Sequence, residues 1–198
     1  MEIKTGIQIQ RTRSPSVVKN IREPKFKLLY SPQRHDPTHG TVKPEASLGN
    51  LYLASALREN NFEVDVLDCC IGGKKHTIDE AFNNTTPLPN GMIRVGLAPE
   101  TIIRECGDYD VIGMSSIFTP QTYMVEETVR SIHQTYPEKL IVMGGINART
   151  QLERYFKVGA DIICLSEAER QVVEIGNVLR RGSRDFSHID GVAFMLNG

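Results

Sequence analysis

From about Lys25 to the C-terminus, short runs of apolar and β-branched residues alternate with longer amphipathic segments. Short apolar runs are typical of buried strands, whereas apolar residues three and four positions apart indicate helices. Regular alternation of the two indicates βα repeats around a parallel sheet. We therefore predict a doubly wound α/β domain over residues 25–198, with helices on both faces of the sheet.

The predicted parallel sheet has five strands, at residues 26–30, 62–68, 111–115, 140–143 and 161–165. Right-handed crossovers would arrange them in the flavodoxin-like order 2-1-3-4-5, with a short extra C-terminal strand near residues 191–196. Ligands of such sheets bind beyond the carboxyl ends of the strands, near the point where the strand order reverses. We expect the functional site there.

Two helix starts can be predicted from local signals. Leu48, Leu51 and Tyr52 are spaced as the apolar face of a helix that ends near Glu59. Thr119 is followed by a proline, which predicts an N-cap and the first residue of a later helix.

Two segments are less regular. Residues 1–24 contain five Lys and Arg residues and show little helical periodicity, and we interpret them as an N-terminal arm. Residues 69–109 contain several glycines and prolines, which predict an elaborated crossover. Within it we expect short helices near residues 79–83 and 100–106.

Composition excludes several classes of function. The 198 residues suffice for one well-packed core, and the formal net charge of −1 gives no bulk attraction to nucleic acid or acidic membranes. The apolar runs are far shorter than the roughly 18–20 residues that span a bilayer. Because the N-terminus has no apolar secretory segment, we expect a soluble, cytoplasmic protein.

The four cysteines, Cys69, Cys70, Cys106 and Cys164, form neither a CxxC nor a CxxxCxxC motif. They cannot build an iron–sulfur site by themselves, and we interpret them as buried thiols in a reducing cytosol. Phosphate-binding motifs are missing too, since the chain has no GxGxxG and no GxxxxGK[ST]. The acidic residues of receiver domains are absent from the strand ends. These absences argue against dinucleotide, P-loop and phosphoacceptor chemistry.

The predicted strand ends instead have small residues. Gly113, Ser115 and Ser116 end the third strand, and Gly144 and Gly145 end the fourth. Small residues let a bulky, flat ligand approach the backbone, whose N–H groups and serine hydroxyls can bond to it. A Gly-Gly pair can equally close a tight strand-to-helix turn. The residues by themselves leave both interpretations open.

A longer series of segments provides a family resemblance. In chain order the segments read PEASLGNLYLASAL (44–57), EVDVLD (63–68), YDVIGMS (109–115), VMGGINA (142–148) and IDGVA (189–193). Together they resemble the N-terminal cobalamin (B12)-binding domain of cobalamin-dependent radical SAM enzymes, over roughly residues 25–198. The resemblance implies a Rossmann-like domain that binds base-off cobalamin. In that state the dimethylbenzimidazole tail is released from cobalt and inserted beside the sheet.

By position, the resemblance also implies a set of cofactor-binding residues: Ser115, Ser116, Thr119, Gly144, Gly145, Ile146 and Asn147. The first three would flank the tail, and the two glycines would make room for it. The corrin ring would lie over the strand ends, near the loop 31–47.

Two segments depart from the family pattern. Asn147 replaces the usual His of Gly-Gly-x-His-Ala, and Ser166-Glu167-Ala168-Glu169 stands after the fifth strand in place of the usual Gly-Glu-Gly-Glu. Ser166 and Glu169 also have the spacing of a capping box, and we favour that helix-start interpretation.

The DxHxxG motif, whose His is the lower cobalt ligand of other cobalamin proteins, is absent. His35 and His39 lie in the corresponding loop and are the candidate cobalt ligands, with Asp36 placed to orient an imidazole. Their spacing differs from the motif, and the family that the chain resembles commonly lacks a His ligand. We therefore expect both to be exposed loop histidines.

The resemblance implies a partner domain of the same polypeptide, expected after residue 198. Because this chain has no CxxxCxxC, the [4Fe–4S] cluster and S-adenosylmethionine would belong to that radical SAM catalytic domain. This chain would hold cobalamin for methyl transfer or related radical chemistry and would not be catalytic alone. Two alternatives stay open: a stand-alone α/β small-molecule-binding or sensor module without cobalamin, and a purely structural docking domain.

Overall fold

The structure is a computed structural model that describes residues 22–40 and 47–195. Most of the predicted arm, with residues 1–21, lies outside the described residues. The elements in chain order are β1 (Lys25–Tyr30), β2 (Gln33–His35), α1 (Leu48–Glu59), β3 (Glu63–Asp68), β4 (Thr85–Pro87), β5 (Ile93–Val95), α2 (Pro99–Glu105), β6 (Val111–Ser115), α3 (Thr122–Thr135), β7 (Leu140–Gly144), α4 (Ile146–Thr150), α5 (Leu152–Val158), β8 (Ile162–Cys164), α6 (Glu169–Arg180) and β9 (Val192–Phe194).

The main sheet has six strands in the order β3-β1-β6-β7-β8-β9. The first five are parallel, and the short strand β9 pairs antiparallel with β8 at one edge. The predicted α/β fold with a parallel sheet is confirmed. Its five parallel strands have the expected order, 2-1-3-4-5, with strand order reversing between β1 and β6.

Strand register places the carboxyl ends of the central strands side by side. Tyr30 at the end of β1 pairs with Ser115 at the end of β6, and Ser115 pairs with Gly144 at the end of β7. Small residues from two strands therefore meet at one level of the sheet edge, because parallel strands in register end together.

Helices cover both faces of the sheet. One core includes Leu28, Leu57 and Ile175 and packs α1 and α6 against the sheet. The other includes Met143 and Tyr155 and packs α2, α3 and α5 against the opposite face. No helix in the described parts of the chain is both long and apolar enough to cross a membrane.

The predicted apolar face of α1 is wrong. Leu48, Leu51 and Tyr52 are 60%, 53% and 59% exposed, whereas Asn50 and Leu57 are buried. Apolar residues occur on two sides of α1, so spacing alone does not fix which side faces the sheet. Packing against α6 and the sheet selects the side with the small residue Ala54, which allows close approach.

Two strands of the crossover join β2, which follows β1, in a second sheet that the sequence did not predict. Strands β2, β5 and β4 form a three-stranded antiparallel sheet, and each strand has three residues. Such short strands give too few alternations for a recognisable period. The predicted helix near residues 79–83 is wrong, since this segment forms successive turns, whereas α2 matches the helix predicted near residues 100–106.

The loop between β6 and α3 corrects the prediction for Thr119. Residues 119–121 form a single 3₁₀ turn, and α3 begins only at Thr122. The side chain of Gln121 replaces the expected cap, because its Oε1 accepts the backbone N–H groups of Ile117 and Phe118. Its Nε2 donates to the Tyr30 hydroxyl at 2.6 Å, which ties the loop to the end of β1.

The capping box predicted at Ser166 and Glu169 is also wrong. Helix α6 begins at Glu169 with Ala168 as its N-cap, and no side chain caps it. The Ser166 hydroxyl instead accepts a hydrogen bond from Nε2 of Gln171 at 3.1 Å. The hydroxyl is therefore paired with a side chain of α6 and caps none of the backbone N–H groups in its first turn.

Candidate functional site

A cavity of about 340 Å³ lies between the sheet and helices α1 and α6, toward the carboxyl ends of β6, β7 and β8. This is the edge where the sheet topology predicts a ligand site. The cavity is within the range of about 300–1,000 Å³ that small-molecule sites occupy. It is therefore large enough for a flat organic group.

The sheet side of the cavity is apolar. Leu28, Val142 and Cys164 project from β1, β7 and β8, and Leu53 and Val172 face them from α1 and α6. Burial raises the pKa of the Cys164 thiol to about 12, so this sulfur remains protonated at neutral pH. The cavity therefore offers an uncharged surface suited to an aromatic or aliphatic group.

Two glycines at the end of β7 have different roles. A Cβ atom at Gly144 would meet nothing within 4 Å, and Gly144 lines the cavity. Gly145 also lines the cavity, but it has φ of 97°, and a Cβ atom there would lie 2.3 Å from the carbonyl oxygen of Ser116. Gly145 is thus required by the β7–α4 turn, whereas Gly144 leaves open space.

The seven residues assigned to cofactor binding separate into two groups. Four of them line the cavity: Ser115, Gly144, Gly145 and Ile146. The other three do not. Thr119 is exposed in the 3₁₀ turn, and Ser116 and Asn147 are buried in the protein.

Ser116 and Asn147 belong to a buried polar network. The Asn147 amide nitrogen lies 2.8 Å from Ser116 Oγ, 2.9 Å from Thr122 Oγ1 and 2.8 Å from the Tyr155 hydroxyl. The two hydroxyls of Ser116 and Tyr155 are themselves 2.8 Å apart. Burial raises the pKa of Tyr155, so its hydroxyl remains protonated in this network. The network joins the β6–α3 loop to α4 and α5.

The candidate cobalt ligands His35 and His39 do not line the cavity. His35 Nε2 is 2.9 Å from the carbonyl oxygen of Gly40, and the exposed His39 has its Nδ1 2.9 Å from Asp36 Oδ2. Hydrogen bonds from Thr38 hold the pKa of Asp36 at about 2, so Asp36 is ionised. Among the described residues, no three His, Cys, Asp or Glu side chains form a metal-binding group.

Asn50 is a cavity residue that sequence reasoning missed. It lies in α1, is 3% exposed and lines the cavity. Its Nδ2 atom has no hydrogen-bond partner among the described residues. The sequence does contain a signal for this residue, because Asn50 is a lone polar residue on the same side of α1 as Ala54 and Leu57. The apolar residues on the other side of α1 obscure that signal.

Three large apolar side chains at or next in sequence to the lining residues are more than half exposed. Ile146 lines the cavity, whereas Leu48 and Phe118 are sequence neighbours of the lining residues Gly49 and Ile117. Exposed apolar side chains of this size can bind a ligand or another protein. Arg149, Glu167 and Glu169 also line the cavity, and they bring one positive and two negative charges to it.

Comparison with known families now gives the chemistry of this site. Residues 91–176 match the family model described as the B12 binding domain. This part of the chain is a B12-binding domain. The match extends from just before β5 into α6 and so includes the ends of β6, β7 and β8 at the cavity. Cobalamin is the cofactor of this domain, as the resemblance implied.

Two relatives of the B12-binding domain are larger proteins. Cytidylyl-2-hydroxyethylphosphonate methyltransferase of Streptomyces wedmorensis is 28% identical over 126 residues, which are 62% of this chain and 22% of that enzyme. The solved structure of TsrM, a radical S-adenosylmethionine methyltransferase from Kitasatospora setae, matches with a TM-score of 0.61 and 17% identity. That match covers 87% of this chain and 29% of TsrM, and it shows a shared fold. The chain therefore spans less than a third of either relative.

Proposed function

We propose that this chain is the cobalamin-binding module of a radical SAM enzyme and holds base-off cobalamin for a catalytic domain of the same polypeptide. The observation that supports this most directly is the cavity itself. It lies at the carboxyl edge of a B12-binding domain, beside two small residues in register, Ser115 and Gly144.

The residues around the cavity fit the lower base of base-off cobalamin. An aromatic base needs an apolar slot between sheet and helices, which Leu28, Val142 and Val172 provide. Gly144 leaves the entrance open, and the Ser115 hydroxyl can bond to a polar group of the tail. These residues, with Gly145 and Ile146, are the proposed cofactor-binding set.

The exposed apolar residues Leu48, Phe118 and Ile146 support a position for the corrin ring over the strand ends. They would provide apolar contacts to the ring when the tail occupies the cavity. Bound cobalamin would supply a cobalt centre able to accept and transfer a methyl group. The protein's contribution is to hold the tail away from cobalt and to leave the upper face accessible to the partner domain.

The proposed parent enzyme is a methyltransferase or a related radical enzyme. Both reported relatives are named methyltransferases, and TsrM is a radical S-adenosylmethionine enzyme. We propose that the partner domain contains the [4Fe–4S] cluster and binds S-adenosylmethionine. Four buried, free cysteines fit the reducing cytoplasm that we propose for this protein.

The proposal can be tested by reconstitution. Purified protein is mixed with hydroxocobalamin, desalted and examined by absorption spectroscopy. We expect one cobalamin per chain to be retained, with the spectrum of the base-off form. Passage of all cobalamin into the small-molecule fraction would reject the cofactor assignment for this chain and favour the binding or sensor module without cobalamin. Retention with a base-on spectrum would reject the tail-binding part of the proposal.

A further inference from the structure

We infer that Asn50 recognises the lower base of the cofactor by donating a hydrogen bond from its side-chain amide to the free ring nitrogen of that base. This inference rests on the proposed function, because it assigns the polar group that recognises the cofactor tail inside the cavity. It gives α1 a role in selectivity that the strand-end glycines and serine do not provide.

The first observation is an unpaired buried donor. Asn50 is only 3% exposed, yet its Nδ2 has no hydrogen-bond partner among the described residues. Leaving a buried polar group unpaired destabilises the protein. A ligand that accepts a hydrogen bond from this amide would remove that destabilisation upon binding, whereas an entirely apolar ligand would not.

The second observation is the surroundings of the amide. Asn50 and Leu53 line the cavity from α1, facing the apolar side chains Leu28 and Val142 of the sheet. In such a site, a small number of polar groups fix orientation and specificity, while apolar contacts provide most of the affinity. The charged side chain of Arg149 also lines the cavity, but it is exposed to solvent and bonds the carbonyl oxygen of Leu165 at 3.4 Å.

The chemistry of a released lower base matches this donor. When benzimidazole coordinates cobalt, one ring nitrogen uses its lone pair in the metal bond. Release from cobalt leaves that nitrogen as an unsatisfied acceptor in an apolar slot, where an unpaired polar atom is costly. The Asn50 amide and the ring nitrogen would satisfy each other, which favours the released form.

The variant that tests the inference is Asn50→Leu, with Ser55→Ala on the exposed side of α1 as its matched control. Leucine has similar volume and good helix propensity but no donor. Because Nδ2 of Asn50 has no hydrogen-bond partner in the described part of the chain, we expect the ligand-free Asn50→Leu protein to melt at the same temperature as wild type or higher. A purely structural role for Asn50 predicts a lower melting temperature.

Affinity is measured for two cobamides, by titration and equilibrium dialysis. One is cobalamin, and the other has a phenol in place of benzimidazole and therefore lacks the ring nitrogen but keeps the ribose and phosphate. Comparing wild type with Asn50→Leu for each ligand cancels the ligand's own cost of releasing its base. We expect the substitution to weaken cobalamin binding roughly tenfold and to leave binding of the phenolic cobamide unchanged or stronger.

Three outcomes overturn the inference. Equal weakening of both cobamides would assign the Asn50 amide to the ribose or phosphate. Unchanged cobalamin affinity in Asn50→Leu would show that the amide does not contact the tail, and a lower ligand-free melting temperature would show that Asn50 stabilises the fold. Failure of the wild-type protein to bind cobalamin would instead reject the proposed function, so the two failures are distinguishable.

Discussion

The hydroxyl of Tyr155 lies 2.8 Å from the amide nitrogen of Asn147, in the core on the sheet face opposite the cavity wall formed by Val142. The residue that replaces the family's usual histidine is thus bonded within the protein. It connects the turn after β7 to α5 and fixes the backbone from which Gly144 and Ile146 reach the cavity.

We therefore expect Asn147→Ala to reduce stability with little change in cobalamin affinity. Removing the amide leaves the buried hydroxyls of Ser116 and Tyr155 with one partner fewer, which should cost about 2 kcal/mol of unfolding free energy. Urea denaturation at pH 7 measures this loss. Asn60→Ala is the matched control, since the exposed Asn60 amide bonds only Ala56 O and should matter by less than about 0.5 kcal/mol. Weaker cobalamin binding without loss of stability would contradict this assignment.

The two glycines of the β7–α4 turn should respond differently to substitution. Gly144→Val adds a side chain into open cavity space, so we expect cobalamin affinity to fall at least tenfold while the melting temperature stays near that of wild type. Gly145→Ala forces a Cβ against the Ser116 carbonyl and should cost about 1–3 kcal/mol with or without cofactor. Calorimetry and ligand titration separate the two effects. Equal affinity in Gly144→Val and wild type would show that the tail does not occupy this space.

The ion pair between Lys27 and Asp65 makes the free energy of unfolding depend on pH in the acidic range. Burial alone would lower the pKa of Lys27 and raise that of Asp65, but their hydrogen bond and opposite charges reverse both directions. The pKa of Asp65 is therefore below its ordinary value of 3.8. Its contribution to stability is complete above about pH 4 and is lost as the pH falls through the lowered pKa.

Asp65→Asn should consequently cost about 2–3 kcal/mol at neutral pH, because the Lys27 ammonium, 1% exposed, then has Glu105 as its one anionic partner among the described residues. The difference from wild type should shrink as urea titrations are repeated from pH 5 down to pH 3. Glu63→Gln is the matched control: it removes the partner of Lys25 on the same two strands, and both of those side chains are exposed. If Glu63→Gln lowered the free energy of unfolding as much as Asp65→Asn, the burial of Lys27 would not explain the effect of Asp65.

Neither candidate histidine should ligate cobalt, although His35 is a half-buried residue of β2 and only His39 is the exposed loop residue that the sequence predicted. His35 and His39 bond Gly40 and Asp36 and do not line the cavity. The variants His35→Ala and His39→Ala, alone and together, should retain cobalamin with the absorption spectrum of wild type. A change in the spectrum of the bound cofactor in either variant would identify a histidine ligand.

The sequence predicted those features that depend on short-range periodicity. Strands β1, β3, β6, β7 and β8 each have enough consecutive apolar residues to be recognised, and right-handed crossovers then limit their order. The small sheet of β2, β4 and β5 was missed because three-residue strands depend on tertiary pairing more than on local pattern.

The candidate site was predictable in location and only partly in composition. The sequence left open whether the Gly-Gly pair makes room for a ligand or closes a tight turn. In the structure Gly145 closes the turn, and Gly144 lines the cavity and leaves open space. Asn50 was missed because α1 has apolar residues on two sides. The side that faces the sheet is decided by packing against α6, which is not encoded within α1 alone.

Strand β3 forms one edge of the main sheet, and its exposed side chains include the carboxylates of Glu63 and Asp65. An edge strand has free backbone groups that can recruit a strand from another molecule, and charged side chains along the strand oppose such recruitment. We therefore expect Asp65 to hinder self-association at this edge as well as to stabilise the fold through Lys27. Its loss would weaken protection against aggregation at the concentrations that cells and crystallisation drops impose.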